Sequence, residues 1–83
     1  MSSFGTIPLG EIWAMLNACA PGHKRKAREH NWLVTYNGRS YPRLPRGEHG
    51  RRHNPSIEIG HIRTMVRHFQ IEKCAQEHLP QLC

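Results

Sequence analysis

The chain has 83 residues, and its twelve Lys and Arg against six Glu and no Asp give a formal net charge of +6. A chain of this length forms one domain without a deep substrate cavity, so we expect it to act at its surface and on a polyanion. The three Cys residues lack a close Cys-x-x-Cys pair, which argues against a disulfide framework. We find no signal peptide and no membrane-spanning run, and we predict a cytoplasmic location.

The first predicted element is an amphipathic helix over about residues 8–20. Apolar side chains recur along it at helical spacing: Leu9, Ile12, Trp13 and Leu16. Pro8 suits a first helical position, Thr6 is a candidate cap, and Pro21 with Gly22 ends the helix. We interpret Trp13 and Cys19 as core residues of this helix.

A β-hairpin follows a basic link. Residues 32–36 read Trp-Leu-Val-Thr-Tyr, and Asn37 with Gly38 favours a type I′ turn. The returning strand covers residues 39–44, and Pro42 places it at a sheet edge or bends it, because proline cannot donate to the ladder. Trp32 opens the first strand, where it is buried beneath a helix or stacks on a base.

Residues 46–56 are polar and strongly basic and predict a mobile loop, after which residues 57–59 add a short strand or lead into a helix. The second helix covers about residues 60–70, with an apolar face of Ile59, Ile62, Met65, Val66 and Phe69. Lys73 interrupts this face, so we expect a short third helix or a kinked extension that ends near Pro80, with residues 81–83 frayed. No internal repeat is evident.

This order predicts an α+β fold, a small antiparallel sheet of two or three strands with helices packed on one face. Residues 1–83 form a single domain, with a core over about residues 8–71 and a C-terminal helix and tail over residues 72–83. The core is modest, so we expect a homodimer or an obligate complex as readily as a monomer.

The same order resembles a known family. Trp32 opens a strand, Gly38 lies at the turn, Pro45 and Arg46 precede a loop histidine, and residues 59–67 read Ile-Gly-His-Ile-Arg-Thr-Met-Val-Arg. Over about residues 8–71 this is similar to the HicA family of bacterial mRNA-interferase toxins. The resemblance implies a fold like the double-stranded-RNA-binding domain (dsRBD-like), RNA cleavage without a metal, and neutralisation by an antitoxin protein.

One motif departs from that family. Its catalytic histidine follows the turn glycine, whereas this chain reads Gly-Arg-Ser-Tyr over residues 38–41. The chain therefore either uses another histidine for catalysis or has kept the fold and lost the nuclease.

Metal-free RNA cleavage needs a base for the 2′-hydroxyl proton and cations for the phosphorane charge. The basic loop offers His49 and His53 with neighbouring arginines, and Tyr41 lies on the adjoining strand. We take these three residues as catalytic candidates, with His49 as the preferred base. The alternative without a function is that the loop histidines are solvated surface residues.

The basic residues in two blocks and on the second helix are candidates for nucleic-acid binding: Lys24, Arg25, Lys26, Arg28, Arg39, Arg43, Arg46, Arg51, Arg52, Arg63 and Arg67. Residues 19–23 read Cys-x-x-x-His and residues 49–53 read His-x-x-x-His, which is spacing that zinc ligands use, but neither segment has a complete ligand set. We therefore predict no metal and no cofactor.

The favoured interpretation is thus a small basic protein that acts on RNA, a HicA-like toxin endonuclease (a hydrolase) held by an antitoxin. A catalytically inactive nucleic-acid-binding module is the first alternative. The second is a protein-interaction module whose basic face docks on an acidic partner.

Overall fold

The computed structural model describes residues 5–46 and 55–82, which form an α+β fold. In chain order the elements are β1 (Thr6–Pro8), α1 (Leu9–Cys19), β2 (Lys24–Ala27), β3 (Asn31–Tyr36), β4 (Arg39–Pro45), β5 (Ser56–Glu58), α2 (Ile59–His68), α3 (Glu72–His78) and a 3-10 turn (Pro80–Leu82). β2, β3 and β4 form an antiparallel sheet in that order, called the main sheet below, and β1 pairs with β5 in a separate ribbon. The predicted α+β class is confirmed.

The predicted hairpin of the main sheet is confirmed together with its turn. Asn37 and Gly38 have φ angles of 53° and 80°, as a type I′ turn requires. β4 is an edge strand, and its register with β3 shifts between the pairs Trp32–Leu44 and Val34–Tyr41. The shift adds a residue to β4 beside Pro42, so both of the alternatives predicted for this proline, an edge position and a bend, are present.

The strands β1 and β2 were not predicted. The basic link is in fact β2, which pairs antiparallel with β3 although its sequence, Lys-Arg-Lys-Ala, has no β-branched or aromatic residue. The strand predicted near residue 57 exists, but its partner is β1 and not the main sheet. Thr6 lies in β1 and does not cap α1, whose N-cap position is occupied by Pro8 without a side-chain hydrogen bond.

The prediction that the chain has no internal repeat is wrong. Residues 6–16 read T-I-P-L-G-E-I-W-A-M-L and residues 56–66 read S-I-E-I-G-H-I-R-T-M-V, with identical residues at four positions: Ile7 and Ile57, Gly10 and Gly60, Ile12 and Ile62, Met15 and Met65. Each copy is a short strand that leads directly into a helix. The copies are short and 50 residues apart, so helical periodicity alone did not reveal them.

The two copies pair with each other around a local, approximate two-fold axis. Ile7 lies opposite Ile57 in the ribbon. The amide of Leu9 donates to the Pro55 carbonyl oxygen at 2.8 Å, and the amide of Ile59 donates to the Gly5 carbonyl oxygen at 3.1 Å. The equivalent apolar side chains of both copies are buried, so the repeat supplies the centre of the hydrophobic core.

α2 ends in a Schellman motif. The amide of Ile71 donates to the Val66 carbonyl oxygen and that of Gln70 to the Arg67 carbonyl oxygen, with Gln70 at a φ of 60°. The helix therefore ends before Lys73, and α3 is a separate helix. Residues 81–82 are not frayed, because Leu82 is only 4% exposed and packs into the core.

α3 packs against α1, and a disulfide joins the two helices. Cys19 and Cys74 have Cα atoms 5.7 Å apart although 55 positions separate them in sequence. The prediction against a disulfide is therefore wrong: Cys spacing along the chain carries no information on a contact that tertiary packing creates. None of the helices in the described ranges has the length and the apolar run that a membrane crossing needs.

Candidate nucleic-acid interface

The positive charge of the protein is concentrated on the main sheet. Seven of the twelve Lys and Arg residues lie within residues 24–46, together with one carboxylate, Glu29. Residues 55–82 carry three cations and three Glu, so the formal net charge of that part of the chain is zero. The formal charge of the sheet alone therefore equals that of the whole chain, and the field that a polyanion meets originates there.

β2 presents this charge on both faces of the sheet. All four of its residues are exposed. Lys24 and Lys26 lie opposite Thr35 and Leu33 and point away from the helices, since the intervening pair includes the buried Val34. The outward side chains border a shallow groove of about 400 Å³ whose floor includes Leu33. The groove thus combines two ammonium groups with an apolar surface.

On the helix side of the sheet, two arginines and two tryptophans form a row that we call the Trp–Arg ladder: Arg25, Trp13, Trp32 and Arg46. The guanidinium of Arg25 lies 4.3 Å from the ring centroid of Trp13, and that of Arg46 lies 5.8 Å from Trp32. The two indoles meet edge to face at 5.2 Å. Such cation–π contacts contribute about 0.5–1 kcal/mol each and hold the charged groups in place.

Both tryptophans are half-buried against the core. Burial beneath a helix and stacking on a base, the two roles predicted for Trp32, are therefore both compatible with its position. The indole Nε1 of Trp32 is buried, and no acceptor for it is found within residues 5–46 and 55–82. The two rings lie in a row between the Arg25 and Arg46 guanidinium groups. An aromatic surface between fixed cations suits a base and its phosphates.

His30 lies at the end of the sheet beside two arginines. The amide of Arg28 donates to the Asn31 carbonyl oxygen, which makes Glu29 and His30 the tip of the β2–β3 hairpin. The amide of Arg46 donates to the His30 carbonyl oxygen at 3.2 Å, and its guanidinium donates to the Arg28 carbonyl oxygen at 2.7 Å. The His30 side chain is 69% exposed, with the Glu29 carboxylate 3.8 Å from Nε2.

Tyr41 is buried in the core, whereas the predicted catalytic role requires a side chain on the surface. Its side chain belongs to the hydrophobic core at 7% exposure, and its ring centroid is 5.9 Å from that of His68. Burial raises the pKa of the phenol, an effect that the nearby Arg43 partly offsets. A neutral, buried phenol packs the sheet against α2, and Tyr41 is not part of the basic surface.

The other predicted site residues fall into three groups. His49, His53, Arg51 and Arg52 lie outside the described residues. Arg39 and Arg43 are exposed on β4, where Arg39 donates to the His68 carbonyl oxygen at 3.4 Å. Arg63 and Arg67 border a different depression, between α2, α3 and the C-terminal turn, where the Glu72 carboxylate lies 3.6 Å from Arg67.

Sequence reasoning missed β2 as a strand, the Trp–Arg ladder and the position of His30. The ladder joins residues from α1, β2, β3 and the end of β4, and only tertiary packing brings them together. His30 could have been found from its neighbours, because polar residues between a basic segment and an apolar strand fall in an exposed turn.

No family model, curated protein or solved structure matches this chain. The resemblance to the HicA family accordingly stays a prediction.

Proposed function

We propose that this protein binds single-stranded RNA around the β2 edge of its main sheet, with phosphates on Lys24 and Lys26 of the outer face and bases at the Trp–Arg ladder on the helix side. The observation that supports this most is the placement of seven cations and one carboxylate on residues 24–46 while the rest of the described chain is nearly neutral. Charge balance elsewhere means that the excess is not a general device for solubility.

The geometry suits a flexible strand better than a small ligand. The outer groove is open and shallow, and Lys24 and Lys26 stand two residues apart on one strand, about 7 Å along it. That spacing is close to the repeat of phosphates in an extended single strand. Each phosphate that such a side chain neutralises releases counterions, so binding depends steeply on salt.

A specific observation favours a second function, metal-free RNA cleavage with His30 as the base. Arg28 lies two positions before His30, and the amide of Arg46 donates to the His30 carbonyl oxygen, so in this function these two arginines are the nearby cations for a phosphorane. In this step the 2′-hydroxyl proton moves to the imidazole, the 2′-oxygen bonds to phosphorus, and the 5′-oxygen leaves with a proton from water. The antitoxin partner and the cytoplasmic location stay predictions.

Binding is tested by fluorescence anisotropy of a labelled single-stranded RNA over a salt series. For Lys24→Gln and Lys26→Gln we expect the slope of log K against log salt to become shallower by about 0.7 each, the value of one phosphate contact on a single strand. Lys73→Gln is the matched control, because it removes the same charge from α3 and should leave the slope unchanged. Equal losses in all three variants would mean a response to net charge and contradict a defined interface.

Cleavage is tested by gel analysis of the same RNA in the presence of EDTA. If His30 is the base, His30→Gln removes cleavage and keeps binding, whereas His61→Gln, which changes a histidine beside Glu58 on α2, keeps both. Intact RNA with the wild-type protein would reject the nuclease and leave the binding module. Failure to bind RNA, together with capture of an acidic protein by the basic face, would reject both functions.

A further inference from the structure

A cluster of three side chains at the contact of α1 and α3 lies apart from the main sheet. His78 Nδ1 is 3.5 Å from Cys19 Sγ and 3.9 Å from Cys74 Sγ. The three ligand atoms all lie within 4.8 Å of one another, whereas the two sulfur atoms are joined as a disulfide. Cys74 and His78 are four residues apart on α3, so one face of that helix presents both.

The distances around His78 fit a metal centre as well as a disulfide. In a tetrahedral Zn²⁺ site a sulfur and a nitrogen ligand lie about 3.6 Å apart, and two sulfur ligands about 3.8 Å apart. The imidazole already lies at such distances from both sulfur atoms. Breaking the S–S bond lets the two sulfur atoms separate to the spacing of a metal site, which is a short movement of two side chains.

We propose that, when the disulfide is reduced, Cys19, Cys74 and His78 bind one Zn²⁺ ion, so that this site alternates between a disulfide and a metal. Two thiolates with one imidazole are a ligand set typical of zinc sites. The cluster has three ligands within the described residues, so water would be the fourth ligand, and the exposed His78 gives it access.

The exchange is balanced in atoms and electrons. A dithiol reductant gives two electrons and two protons to the Cys19–Cys74 bond and becomes a disulfide itself. Zn²⁺ then displaces both thiol protons into the solvent. His78 Nδ1, which donates to the Cys74 carbonyl oxygen at 3.3 Å, passes its proton to Nε2 through water and offers its lone pair to the metal.

The burial of the cluster fits both states. Cys19 is 8% exposed, Cys74 is half-buried and His78 is exposed, so the metal would have an apolar side and an entry path. Either link, covalent or metal, joins α3 to α1 across 55 positions of sequence. The C-terminal part of the chain is therefore fixed to the core under oxidising conditions and, with zinc present, under reducing conditions too.

The test titrates Co²⁺, a spectroscopic substitute for zinc, into a Cys83→Ser variant, which leaves only the two cysteines of the cluster. The protein is reduced with a phosphine under nitrogen, and a second sample is kept oxidised. We expect the reduced sample to take up one equivalent, with a thiolate-to-cobalt charge-transfer band and the intense d–d bands of a tetrahedral site. Zn²⁺ should displace the cobalt, and the oxidised sample should show no band.

His78→Ala tests the third ligand at an exposed position where folding is not at risk. Its Co²⁺ affinity should fall by more than the about 10- to 100-fold that loss of a hydrogen-bond partner of a ligand costs. His61→Ala is the matched control and should bind as before. Far-UV circular dichroism is recorded with each titration, and if the reduced protein loses structure, Zn²⁺ should restore it.

Three results would overturn the proposal. The first is equal Co²⁺ uptake by oxidised and reduced protein. The second is unchanged affinity in His78→Ala. The third is a reduced sample in which Co²⁺ produces neither tetrahedral bands nor recovery of structure, which would leave the cluster as a disulfide with a neighbouring histidine.

Discussion

The main sheet and the helix layer, which consists of α1, α2 and α3, differ in their share of buried side chains and of charge. The helix layer, with the β1–β5 ribbon, holds most of the buried side chains and carries balanced charge in residues 55–82. The main sheet contributes Val34, Tyr41 and Leu44 to the core and carries the cationic excess. The comparison indicates that stability resides mainly in the helix layer, and it supports the proposal that recognition resides in the main sheet.

The two copies of the repeat make the same division on a smaller scale. Ile12 and Ile62 are equivalent and fully buried. At the next position the copies differ: Trp13 joins the ladder against the main sheet, while Arg63 borders the depression near α3. The core positions of the two copies are alike, whereas their outward positions differ. Each copy therefore contributes to a different surface of the protein.

The largest effect is expected from the link inside the helix layer. Replacing Cys19 and Cys74 by Ala, in EDTA and with Cys83→Ser, should lower the free energy of unfolding by about 4 kcal/mol, the value for a loop of this length. Urea unfolding against the Cys83→Ser protein measures it. A loss below about 1 kcal/mol would mean that the link does not stabilise the helix layer.

Truncating a buried side chain in either copy of the repeat should lower the free energy of unfolding by the same amount. Ile12→Ala and Ile62→Ala should each lower the free energy of unfolding by about 2–5 kcal/mol, because both side chains are fully buried and leave a cavity. Leu33→Ala on the outer face of the main sheet is the comparison and should cost at most about 1 kcal/mol. Thermal and urea unfolding measure all three, and a larger loss at Leu33 would reverse the assignment of stability to the helix layer.

The smallest effect concerns the contact between the two layers. The pKa of Tyr41 is raised by burial, so the folded state favours the neutral phenol. The stability that this provides is complete below the unfolded pKa of 10.0 and is lost as pH rises through the higher folded value. In Tyr36→Phe, ultraviolet absorbance of tyrosinate should rise at higher pH in folded than in urea-unfolded protein. If the absorbance rose at the same pH in folded and unfolded protein, the Tyr41 phenol would be exposed to solvent in the folded state.

Much of this fold could be predicted from the sequence, because its signals are local. The helices and the β3–β4 hairpin follow from periodicity and from the Asn37–Gly38 turn, which are local signals. β2 could not be predicted from propensity, because the exposed residues of an edge strand owe their conformation to pairing with β3. The disulfide and the Trp–Arg ladder depend on contacts between distant segments, and composition predicted only the charge that the ladder carries.

The central claim, that recognition resides in the main sheet, is tested most directly by NMR titration of isotope-labelled protein with a short single-stranded RNA. We predict that amide shifts concentrate within residues 24–46, with the indole N–H signals of Trp13 and Trp32 among the most affected. Shifts concentrated on α2 around Arg63 and Arg67, with the main sheet unchanged, would contradict the account.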